Sequence, residues 1–142
     1  MSKVSSILAR KGSDIISVQT HTTVYDALKI MAEKNIGSLV VMDGEKYAGI
    51  LTERDYSRKV ILQGKHSENT TVGEIMSTDL PTVSPHDSVE RCMQLMSDKN
   101  IRYLPVFEGD KLSGVISISD VVTETILQQK ETIHHLQSYI HG

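Results

Sequence analysis

Apolar residues at Val24, Ala27, Leu28 and Met31 keep the i, i+3, i+4, i+7 spacing of one helix face, and Thr22 or Thr23 stands where an N-cap belongs. Beyond Lys34-Asn35 the period changes. A short apolar run, Ser38-Leu39-Val40-Val41-Met42, meets an Asp43-Gly44 turn and a second run from Tyr47 to Leu51, which predicts a β-hairpin. Glu53-Arg54-Asp55 then opens a second helical stretch reaching about Leu62. With a leading strand around Val18, the predicted order is strand, helix, strand, strand, helix.

The same order is written again 65 residues later. Residues 16–63 slide onto 81–128 without a gap, and 16 of the 48 pairs are identical. His21/His86, Lys34-Asn35-Ile36/Lys99-Asn100-Ile101, Gly49/Gly114 and Asp55/Asp120 are among them. The second helix agrees through Val89, Cys92, Met93 and Met96 after Asp87-Ser88. A shorter match, Val4-Ser5-Ser6-Ile7-Leu8 with Val72-Gly73-Glu74-Ile75-Met76, precedes each copy. These limits predict a first repeat with an N-terminal helix at 1–64, a polar linker at 65–71, a second repeat at 72–128 and a helical extension at 129–142. One copy alone is too small for a sufficient core. The expected fold is therefore α+β, two β-α-β-β-α repeats packed sheet on sheet about a pseudo-two-fold axis, plus a C-terminal helix.

Composition narrows the function. In 142 residues, 15 Lys and Arg face 18 Asp and Glu, a formal charge of −3, which is not the footprint of a nucleic-acid-gripping protein. Aromatic residues are only 4%, so the core is aliphatic. The single Cys92 excludes an internal disulfide and a Cys-rich zinc site, and it aligns with Ala27 as a core thiol. No apolar block of signal-peptide or membrane-span type is present, so the expectation is a cytoplasmic chain without membrane contact. His21 and His86 read as turn residues. His134, His135 and His141 do not share a helix face, so no metal site is expected. Walker loops, nucleophile elbows and dinucleotide-binding glycine motifs are missing, and no catalytic residue or catalytic cofactor is expected.

The chemistry that repeats lies at the end of each hairpin. Thr52 and Ser117 end a strand and start a helix, where a hydroxyl and free N–H groups can meet an anion; Asp55 and Asp120 follow one turn later, where a carboxylate can accept from two vicinal hydroxyls. A nucleoside phosphate fits that pair. Thr52-x-x-Asp55 is also close to a capping box, which would use the same groups internally. Recurrence of Asp where capping boxes prefer Glu or Gln, and the flanking Gly49 and Gly114 that would admit a ligand to the backbone, favour the ligand reading.

Gly49-Ile50-Leu51-Thr52-Glu53-Arg54-Asp55 and Gly114-Val115-Ile116-Ser117-Ile118-Ser119-Asp120 resemble the Gly-apolar-x-Thr/Ser-x-x-Asp motif of tandem cystathionine-β-synthase (CBS) domains, the Bateman module. Arg102-Tyr103-Leu104-Pro105-Val106 is similar to the strand that often precedes it; the first copy departs with Val40 at the Pro105 position. The resemblance implies a stand-alone regulatory module binding AMP, ATP, NAD or S-adenosylmethionine, and a homodimer or an unidentified protein partner that reads occupancy. It also implies composite pockets. Ser117, Ser119 and Asp120 would join Ile15, Ile16, Ile36 and Ser38, and Thr52, Arg54 and Asp55 would join Leu80, Pro81, Ile101, Arg102 and Tyr103.

Arg54 and Arg102, with Arg58 and Lys59 on the following helix, would make the Asp55 pocket the better anion site, although Arg58 and Lys59 also read as a solvated face. Near Asp120 the corresponding residues are Ser119, Gly37, Thr123 and Glu124. Val122, Ile126, Ile133, Leu136 and Ile140 form a stripe that either packs on its own domain or contacts a second copy. A constitutive assembly module with vestigial pockets is the competing functional reading.

Overall fold

The computed structural model describes residues 2–12 and 14–141, His141 through its backbone only. The chain forms two compact units, one of residues 15–80 and the other of residues 1–14 together with 81–142. We call them the Asp55 unit and the Asp120 unit. This grouping by contact cuts across the limits drawn from the repeat. The N-terminal helix α1 (Val4–Lys11) belongs with the second repeat, because its fully buried Val4 and Ile7 complete the apolar core of that unit. The segment read as a linker belongs with the first. Thr70 is buried, and the Ser67 and Thr70 carbonyls accept from Tyr25 and Val24 N–H at 2.9 and 2.8 Å.

In the Asp55 unit, β1 (Ser17–Gln19) pairs parallel with β2 (Ser38–Asp43), which pairs antiparallel with β3 (Lys46–Thr52) across the Gly44 turn. Between β1 and β2 runs α2 (Val24–Lys34), capped by the Thr23 hydroxyl and closed by Asn35 at φ 54°. The short α3 (Glu53–Tyr56) widens into a π-helical turn at Ser57–Ile61. A four-residue helix, α4 (Val72–Ile75), closes the unit. Its core is aliphatic, from Val24, Ala27, Met31, Leu39, Val41 and Leu51 to Val60, Val72 and Ile75.

The Asp120 unit repeats this plan with α5 (Val89–Lys99), capped by Ser88 and ended by Asn100 at φ 53°, and the hairpin β4 (Tyr103–Glu108) and β5 (Lys111–Ser117). The repeated Asn therefore has a backbone reason, the left-handed residue that ends each helix. The leading strand, by contrast, is reduced to a single parallel bridge, Val83 to Val106. In the other unit Val40 donates its N–H to the Ile16 carbonyl; Pro105 holds that position here and has no N–H to donate. From Ser117 the chain enters α6 (Ile118–His141), one 24-residue helix that absorbs both the last helix of the repeat and the expected extension.

Gly49 and Gly114 serve these internal contacts. A Cβ on Gly49 would lie 2.6 Å from the Ser77 carbonyl oxygen and 3.1 Å from Met76 Sδ, and one on Gly114 would lie 3.0 Å from Leu8 Cδ2. The reading that they admit a ligand to the backbone is corrected, because the groups found against them belong to the chain itself, the segment just after α4 and the helix α1.

Candidate functional site

Each motif begins where a hairpin strand turns into a helix. Ser38 stands opposite Thr52 in the β2–β3 register, and Tyr103 stands opposite Ser117 in β4–β5. The next N–H in each copy is bonded to its own preceding segment, Glu53 to the Gly37 carbonyl at 3.3 Å and Ile118 to the Arg102 carbonyl at 2.8 Å. Thus Ser38 lies beside the Asp55 motif, and Arg102 and Tyr103 lie beside the Asp120 motif. Ile36 and Ile16 pack on the core of the Asp55 unit, and Ile101 packs on that of the Asp120 unit. Ile15 is exposed, whereas Leu80 and Pro81 are half-buried in irregular chain.

At Thr52 the capping box forms in full. Thr52 N–H and hydroxyl donate to Asp55 Oδ2 at 2.9 and 3.1 Å, and Asp55 N–H donates back to Thr52 Oγ1 at 3.2 Å. The other carboxylate oxygen is also engaged. Ser77 Oγ and Lys59 Nζ each stand 2.9 Å from Asp55 Oδ1, and Lys59 donates further to the Ile75 carbonyl at 2.9 Å. The Asp55 side chain is 6% exposed. Lys59 thus bonds to its own chain although its side chain is 46% exposed, Arg58 is exposed and Arg54 is half-buried. The π-turn carries Lys59 back over the carboxylate one turn before it.

At Ser117 the box is made with the backbone and looser. Ser117 N–H donates to Asp120 Oδ2 at 2.8 Å, and Asp120 N–H donates to Ser117 Oγ at 3.1 Å. The position matching Lys59 is Glu124, of opposite charge. The cations come instead from α1. Lys11 Nζ lies 2.7 Å from Asp120 Oδ2 and 2.9 Å from the Val115 carbonyl; Arg10 reaches the Asp120 carbonyl at 3.4 Å and pairs through Nε with Glu124 at 3.5 Å. Sequence reasoning missed Lys11 and Arg10, and no local signal could have found them, since more than 100 residues separate them from Asp120.

Among the described residues no buried side-chain polar atom lacks a hydrogen-bond partner, and the hydrogen bonds that reach the Asp120 carboxylate from them go to Oδ2, none to Oδ1. The Asp120 side chain is 17% exposed. Burial pushes the Asp120 carboxyl up, but the hydrogen bonds from Lys11 and from Ser117 outweigh it and hold the group below its ordinary 3.8. The site therefore offers an ionised carboxylate with one vacant oxygen. The neighbouring Ser119 is exposed.

Other candidates are structural. His21 and His86 are exposed in turns, and among the described residues no three His, Cys, Asp or Glu side chains cluster as metal ligands. Cys92 is fully buried, and burial, aided by the negative Asp87, pushes its thiol up to about 11. No described helix is long and apolar enough to cross a membrane.

The sequence matches the profile of the CBS domain twice, at residues 4–61 and 72–126. The mitochondrial CBS domain-containing protein CBSX3 of Arabidopsis thaliana is 41% identical, over 98% of this chain and 72% of its own. A CBS-domain protein of Burkholderia ambifaria, solved as a putative signal-transduction protein, superposes with a TM-score of 0.86 at 47% identity, covering 90% of this chain and 96% of that one. The CBS pair of the protein MJ0100, solved in complex with 5′-methylthioadenosine and S-adenosyl-L-methionine, has a TM-score of 0.78 at 25% identity over 90% of this chain and 98% of its own. Two profile matches in tandem and relatives that share the α+β pair together place the chain in the CBS domain family, as a tandem CBS pair carrying a C-terminal helix.

Proposed function

We propose that the chain is a regulatory module that binds an adenosine-containing nucleotide of the AMP, ATP or NAD class, with Asp120 as the ribose-binding carboxylate. The observation that carries this reading is the contrast between Asp120, ionised with one oxygen vacant, and Asp55, whose two oxygens are taken by Thr52, Ser77 and Lys59. A vicinal diol needs acceptor positions on one carboxylate, and Asp120 has them. Ser117 and Ser119 supply hydroxyls at the helix start, where an anion is favoured. The adenosyl ligands bound by MJ0100 support the ligand class. This reverses the preference for the Asp55 side expected from Arg54 and Arg102. Isothermal titration with AMP, ATP and NAD tests the proposal: heat for at least one ligand is expected, and none for any would overturn it.

The vestigial-pocket reading is favoured for the Asp55 copy alone, where Lys59 sits as an internal counter-ion in the place of a ligand. Occupancy is read out by a second copy of this chain. The stripe of Val122, Ile126, Ile133, Leu136 and Ile140 is about half-covered at its first two residues and more exposed at its last three, and residues 130–140 are exposed on every face of α6. Three solvated helical turns are marginal by themselves in water. The flanks are mostly Thr and Gln with the one cation Lys130, so like charges do not oppose self-pairing. Leu136→Glu is expected to convert a dimer to a monomer in sedimentation velocity. The cytoplasm remains the proposed compartment, on the single free Cys92.

A further inference from the structure

We infer that Lys11 and Arg10, on α1, make the Asp120 site selective for phosphorylated adenosine nucleotides over neutral or cationic adenosyl compounds; this rests on Asp120 being the ribose carboxylate. Lys11 Nζ touches Asp120 Oδ2 at 2.7 Å and the Val115 carbonyl at 2.9 Å, with its side chain 34% exposed. Its partner atom is the one already bonded to Ser117 N–H. A ribose binding through both carboxylate oxygens competes with Lys11 for Oδ2, and the displaced ammonium then needs another anion within reach of its stem. A 5′-phosphate on the same nucleotide provides that anion. Adenosine does not, and the sulfonium of S-adenosylmethionine would add a like charge beside the lysine.

Arg10 pairs with the buried Glu124 at 3.5 Å and reaches the Asp120 carbonyl at 3.4 Å, so it adds a second positive charge beside the carboxylate without bonding to the carboxylate itself. In the Asp55 unit the cation on the carboxylate is Lys59, from the π-turn; the aligned helix, α4, stops at Ile75, and the chain beyond supplies the neutral Ser77 as the second contact on Oδ1. The extra length of α1, which runs on to Lys11, is what delivers charge to Asp120.

The test is competitive titration of AMP, adenosine and S-adenosylmethionine into the full chain, as wild type and as Lys11→Gln, with thermal unfolding to confirm that the variant is folded. Wild type is expected to prefer AMP over adenosine by about tenfold or more, and Lys11→Gln to reduce that ratio below about threefold while still binding adenosine. An AMP-to-adenosine ratio unchanged by Lys11→Gln would overturn the inference and leave the binding proposal standing. Absence of binding by every ligand to both proteins would instead overturn the underlying assignment.

Discussion

The two units start from the same motif and use it differently. At Asp55 the carboxylate is enclosed by its own chain, because Lys59 comes back over it from the π-turn and Ser77 reaches it from the segment after α4. At Asp120 the residue in the Lys59 position is Glu124, which would repel the carboxylate, and a distant helix brings the balancing charge. One acid has both oxygens engaged by its own chain, and the other is the one proposed to hold the ligand. Duplication supplies two equal motifs, and one substitution at the i+4 position together with one helix length separates their roles.

The comparison can be broken first at the glycines. Gly49→Ala drives a Cβ against the fixed Ser77 carbonyl, and urea unfolding is expected to show a loss of about 2–3 kcal/mol. Gly114→Ala meets only the tip of Leu8, and less than about 1 kcal/mol is expected. Equal losses would mean that the two helices press on their hairpins alike.

The carboxylates come next. Asp55→Ala removes a full capping box and leaves Ser77 and Lys59 without their partner, which is expected to cost about 2 kcal/mol by the same unfolding measurement. Asp120→Ala removes a more exposed, partly solvated cap and is expected to cost about 1 kcal/mol or less. A larger loss at Asp120 would reverse the roles assigned to the two units.

A gain of binding would sharpen the contrast. The double change Lys59→Gln with Ser77→Ala frees Asp55 Oδ1, and equilibrium dialysis with AMP is expected to find a second, weaker site per chain. Stoichiometry unchanged in a folded double variant would show that more than these two contacts separates the copies.

The smallest effect is in pH. Asp120 is held below its ordinary value when folded, so its contribution to stability is present above about pH 4 and is lost as the pH falls through the lower, folded value. Lys11→Gln removes a cause of that depression. The stability difference between wild type and this variant is expected to be larger at pH 6 than at pH 2.5, and a constant difference would show that the pair does not couple.

Much of this was legible in the sequence, and the part that was not has a definite physical origin. The helix faces, the hairpins and the Thr23 and Ser88 caps follow from local spacing, and the structure keeps them. The offset of 65 exposed the duplication, and the family profile and relatives agree with the CBS resemblance. Long-range partners were invisible. Nothing local says that α1 completes the core of the later repeat, that Ser77 seals Asp55, or that Lys11 pairs with Asp120. Pro105 was visible as a departure, yet its consequence, a leading strand shrunk to one bridge at Val83, follows only when its missing N–H is set against the bond that Val40 makes to the Ile16 carbonyl in the other unit.

The central claim is that Asp120, not Asp55, holds the nucleotide. Titration calorimetry of AMP into wild type, Asp55→Ala and Asp120→Ala, at a temperature where all three are folded, measures it directly. Binding heat retained in wild type and Asp55→Ala but abolished in Asp120→Ala is the predicted result. Heat lost in Asp55→Ala and retained in Asp120→Ala would contradict it.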